Sequence, residues 1–101
     1  MKFLVLFQDS PSADADLRAR FMAEHLAFLE ASAGVVEAAG PLRNAGGEAA
    51  GGAWIVEADS AEAVETLIRD DPFWPTGLRE SVEVLQWDRV FAEGRRLIAP
   101  A

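Results

Sequence analysis

Residues 2 to 8 set Phe3, Val5 and Phe7 on one side of an alternating pattern and Leu4 and Leu6 on the other. Both faces of this β-rich segment are therefore apolar, which predicts a central strand. Ser10-Pro11-Ser12 breaks it and offers Ser12 as the N-cap of a helix, with Asp14 and Asp16 in the acid-favouring first turn and Gly34 stopping the helix at about Ala33. Residues 35 to 43 read as a second strand, where Gly40-Pro41 marks a bulge or an edge position. The stretch from Asn44 to Gly52 holds Gly46, Gly47, Gly51 and Gly52 and predicts a mobile hairpin connection. Residues 53 to 58 form a third strand, and Asp59 with Glu62 three residues later resembles a capping box that opens a second helix, ended by Pro72. Residues 81 to 91 are mostly β-formers and predict a fourth strand, followed by a frayed tail over residues 92 to 101.

The order βαββαβ, in two halves of similar length, predicts a ferredoxin-like α+β sandwich: an antiparallel sheet with both helices on one face. A swapped variant of that sandwich is the competing arrangement. At 101 residues the chain holds one domain, with its core over about residues 1 to 91. Helices cover only one face of such a sheet, yet strand one is apolar on both sides and strand four carries Val82 and Val84 as well as Leu85 and Trp87. An identical subunit's sheet is the simplest cover, so the expectation is a homodimer.

Charge narrows the partners. Seventeen acidic against nine basic side chains give a net charge of −8, which opposes binding to nucleic acid or to an anionic membrane surface. There is no cysteine, so disulfides, thiolate nucleophiles and finger-type zinc sites are excluded, and a single histidine, His25, excludes His-rich metal sites. The expectation is that the protein uses no metal. The apolar opening is too short for a signal-peptide core or a membrane span, and a cytoplasmic location is expected. The glycines of the hairpin lack the strand-to-helix context of a phosphate loop, and no serine sits in a nucleophile elbow.

Two oddities point to chemistry. On a wheel at about 100° per residue, Leu17, Phe21, Met22, Leu26, Phe28 and Leu29 share an apolar arc of the first helix, and Arg18 and His25 fall in its middle. Asp70 and Asp71 stand at the C-terminus of the second helix, where the dipole repels a carboxylate. Asp71 precedes Pro72 and is expected to be extended, beside an aromatic turn made by Phe73-Trp74-Pro75. Each oddity has a plain structural explanation: a histidine satisfied by backbone, and an Asx turn. In a ferredoxin-like sandwich, however, the two helices lie side by side, and one His25–Asp71 dyad accounts for both. The carboxylate would fix the imidazole tautomer and leave the other nitrogen for a substrate proton. Arg18 would hold an anionic group, and Trp54, Phe73 and Trp74 would line the pocket.

The ordered set of Arg18 seven before His25-Leu26, then Ala39-Gly40-Pro41-Leu42, Glu57-Ala58 with Ser60, Asp71-Pro72-Phe73, Gly77-Leu78, and finally Trp87 and Val90 resembles the YCII-related family. The resemblance covers residues 1 to about 91. It implies a subunit that dimerises through its sheet as a dimeric α+β barrel, a pocket where His25 and Asp71 meet, and acid/base chemistry without a cofactor, dehydrochlorinase-like elimination on a hydroxylated ring among it. Many members carry an arginine three residues before the histidine; here that position is Met22, and Arg18 is the matching basic residue.

Three functions follow. The first is a lyase or isomerase acting on a small aromatic or enolic molecule, with His25 as acid/base and Asp71 as its orienting partner. The second is a dimeric small-ligand-binding module without turnover. The third is a monooxygenase, using haem ligated by His25 or only the substrate's own reactivity.

Overall fold

The computed structural model describes residues 1–100. Its elements are β1 (Lys2–Asp9), α1 (Leu17–Ala31), β2 (Val36–Arg43), β3 (Ala49–Glu57), α2 (Ala61–Asp70), β4 (Arg79–Gln86) and a small hairpin of β5 (Phe91–Ala92) and β6 (Arg95–Arg96). The main sheet runs β2-β3-β1-β4, and every neighbouring pair is antiparallel. This is the ferredoxin-like α+β sandwich that the order of elements predicts.

The alternation in β1 decides the layers. Phe3, Val5 and Phe7 are buried with Val36, Trp54 and Val56 of the neighbouring strands, and Val64 and Ile68 of α2 pack into the same cluster together with Phe28 and Leu29 of α1. Both helices therefore sit on one face. On the other face Leu4 lies opposite Ile55 and Leu85, and Leu6 opposite Ala53. Leu4, Leu6 and Ile55 remain half-buried and Leu85 exposed.

Several boundaries differ from the sequence reading. The first helix begins at Leu17, because the polar groups before it are used in turns: Ser12 Oγ meets Ser10 Oγ at 3.0 Å, and the Asp16 N–H donates to Asp14 Oδ1 at 2.9 Å. Ser12 is not a cap. Along α1 only Leu17 and His25 are buried, and Leu26 is exposed despite its place in the apolar arc. In α2 the cap is Ser60 rather than Asp59, its Oγ accepting the Ala63 N–H at 3.2 Å. The fourth strand runs from Arg79 and stops at Gln86 instead of reaching residue 91, and the end of that segment folds with the expected tail into the β5–β6 hairpin, with Glu93 and Gly94 at positive φ in its turn.

The glycine-rich link is also tighter than expected. Asn44 Oδ1 accepts the N–H groups of Gly46 and Glu48, at 2.9 and 3.0 Å, and closes the turn, so that Gly51 and Gly52 belong to β3. Gly51 is buried at φ +88°, and a Cβ there would lie 2.0 Å from the Phe7 carbonyl oxygen. No side chain fits without moving β1. Gly51→Ala is expected to destabilise the fold by at least about 2 kcal/mol, combining the left-handed backbone with a backbone clash. Urea unfolding measures this, and Gly47→Ala, at a positive φ with open space around it, should cost less.

Candidate functional site

Pro72 disfavours helical backbone at Asp71, which takes φ −66° and ψ 130° at the C-cap of α2. The chain turns there, and the carboxylate enters the protein interior instead of facing the helix carbonyls. His25, midway along α1, is 8% exposed and Asp71 is 1% exposed. They meet: His25 Nδ1 lies 2.8 Å from Asp71 Oδ1. The same oxygen accepts the Phe73 N–H at 3.1 Å, closing an Asx turn, and Oδ2 accepts Arg79 Nη1 at 2.7 Å. The dyad and the Asx turn are thus both present, made by one carboxylate.

Burial by itself would raise the Asp71 carboxyl. The hydrogen bonds from His25 and from the Phe73 backbone, with the Arg79 charge, outweigh it and hold the group below the ordinary carboxylate value. An ionised carboxylate only accepts, so Nδ1 of a neutral His25 carries the proton and donates it. In that neutral form Nε2 keeps its lone pair, and it makes no hydrogen bond within the described residues. The imidazole is held from behind by Phe73, whose ring centroid is 4.6 Å away, and by Trp54, stacked at 6.5 Å.

Beside it opens a cavity of about 130 Å³, lined by Phe7, Arg18, Met22, His25, Pro41 and Arg79 among others. A lone-pair nitrogen with a fixed tautomer, next to guanidinium groups and apolar walls, can take a proton from a small ligand and return it at another atom.

The structure distributes the other sequence candidates differently. Arg18 lines the cavity, but its Nη2 donates to Asp9 Oδ2 at 2.7 Å, so its charge is already matched. Trp54 and Phe73 support the imidazole without lining the cavity. Trp74 is elsewhere, 39% exposed in a separate groove with Ile68, Val82 and Val84. The 3₁₀ turn Trp74–Thr76 explains this: it sends Phe73 inward and its neighbour out.

Arg79 and Asp9 were not foreseen. Counting alternation back from Val84 and Val82 puts Glu80 inward and Arg79 outward. The register shift that pairs Gln8 with Ser81 but Asp9 with Arg79 reverses this and turns Arg79 into the core, over the Phe7 ring at 3.9 Å. The sequence marks Arg79 only as the single basic residue of the strand Arg79–Gln86.

A family model for the YCII-related domain matches residues 1–88. The chain belongs to the YCII-related family. Among solved structures, this YCII-related chain is similar to the 5-chloro-2-hydroxyhydroquinone dehydrochlorinase TftG from Burkholderia phenoliruptrix AC1100, in complex with 2,5-dihydroxybenzoquinone. The two share 32% identity at a TM-score of 0.72, over 87% of this chain and 94% of the dehydrochlorinase chain. No curated protein matches it in sequence. Among the described residues no three His, Asp or Glu side chains gather as metal ligands, and no helix is long and apolar enough to cross a membrane.

Proposed function

We propose that this YCII-related protein is a cofactor-independent acid/base enzyme, a lyase or isomerase acting on a small hydroxylated ring or enol. The observation that carries this reading is the free Nε2 of His25 beside the cavity, with Nδ1 fixed by a carboxylate whose two oxygens are both hydrogen-bonded. A ring hydroxyl gives its proton to Nε2, and the electron pair left on oxygen conjugates into the ring. The imidazolium, stabilised by Asp71, returns that proton to the carbon bearing the leaving group. Departure of the group as an anion, with release of a second hydroxyl proton, leaves a quinone, so the net change is loss of one HX. The likeness to a dehydrochlorinase supports HCl as the molecule lost. The test is to supply 5-chloro-2-hydroxyhydroquinone and follow chloride and quinone together. Equal release of both is the expected result; binding of the ring with neither product would favour the non-catalytic ligand-binding module instead.

The protein is further proposed to be a homodimer joined through the open face of its sheet. Leu4, Leu6, Ile55 and Leu85 form an apolar band there that the chain itself leaves uncovered. Sedimentation at micromolar concentration should give twice the 10.9 kDa chain mass, and a mass of one chain would overturn this.

A further inference from the structure

Two arginines line the cavity, each paired through one nitrogen with one carboxylate oxygen, and they differ in burial. Arg18 is about one-third exposed and faces Asp9, whose carboxylate it neutralises. Arg79 has a side chain 7% exposed, and its Nη1 is committed to Asp71. A guanidinium carries five N–H donors in a fixed plane. The other nitrogens of Arg79 make no hydrogen bond within the described residues, neither of them is fully buried, and the residue lines the cavity. A desolvated cation with unpaired donors favours an anionic acceptor, and its planar edge is pre-organised to receive one.

Position supports the same reading. His25 and Arg79 hold opposite oxygens of one carboxylate, Oδ1 and Oδ2. The Asp71 carboxylate thus sets the proton acceptor and the guanidinium side by side.

Resting on the acid/base reading above, we propose that Arg79, and not Arg18, receives the oxygen anion that a ring hydroxyl becomes when His25 takes its proton. The ligand class is a small ring with a hydroxyl or its oxyanion. Arg79 acts on the developing charge directly, as a largely buried hydrogen-bond donor held in place by Asp71. It also positions Asp71, so a test must separate the two roles.

The probe is 2,5-dihydroxybenzoquinone, whose binding is titrated to the wild-type protein and to variants whose circular dichroism matches it. Arg79→Lys keeps a charge but loses the planar fork, and is expected to bind at least about tenfold more weakly, the scale of one charge-assisted hydrogen bond. Arg79→Met combined with Asp71→Asn removes the buried carboxylate with its cation and protects the fold. That double variant should bind at least about tenfold more weakly than Asp71→Asn alone, which isolates the direct contact. Arg18→Met should weaken binding less than Arg79→Lys does. Equal binding by the double variant and Asp71→Asn, or a larger loss at Arg18 than at Arg79, would overturn the proposal while leaving the site's acid/base reading intact. A wild-type protein that binds no probe would overturn both.

Discussion

Asp71→Ala should lower the free energy of unfolding by about 3 to 5 kcal/mol, because it leaves the Arg79 cation buried without its partner. For a domain of this size that is a large fraction of total stability, and it should depress the midpoint of thermal unfolding by more than about 10 °C. Asp71→Asn keeps the shape and one acceptor and should lose less. The pH dependence carries the same information. Asp71 binds its proton less readily folded than unfolded, so the unfolded chain takes up more protons as pH falls. Its contribution is therefore present in full above the ordinary carboxylate range, near pH 4, and is lost as pH drops through the lower folded value. Urea titrations between pH 6 and pH 2.5 should show a smaller acid-side decline in Asp71→Asn than in the wild type; equal declines would mean that the carboxylate carries no such linkage.

His25→Ala should reduce turnover of a hydroxylated ring by about 10² to 10⁴, the range for losing a positioned acid/base group. The fold should survive: the substitution removes ring contacts with Phe73 and Trp54, but Asp71 keeps its bonds to the Phe73 N–H and to Arg79. Turnover per folded molecule is the deciding measurement. If it is unchanged while stability falls, His25 is a buried structural histidine and another group moves the proton.

The sheet was legible because β1 announces itself twice, by alternation and by being apolar on both faces. A central strand with helices before β2 and before β4 leaves few ways to close the sandwich. Asp71 stood out because a carboxylate at that helix end opposes the dipole and Pro72 excludes helical backbone there. Arg79 was hidden by a bulge: one unpaired residue inverts the inside and outside of everything beyond it, and nothing in the side chains of β4 marks where that happens. Trp74 misled for a related reason, since a 3₁₀ turn does not keep neighbouring aromatics on one side. Similarly, the glycines at 51 and 52 read as slack in the sequence, whereas Gly51 marks a point of closest approach between β3 and β1.

One carboxylate joins three parts of the chain that lie far apart in sequence: the middle of α1, the end of α2 and the start of β4. None of these attachments is local except the turn at Phe73, so the proton acceptor is not assembled in any fragment that lacks one of the three. A partly opened molecule in which α1 lifts from the sheet retains Asp71 and Arg79 as a pair but has no oriented imidazole. On the acid/base reading proposed above, an excursion that frees α1 alone removes the imidazole from the site while the Asp71–Arg79 pair stays in place.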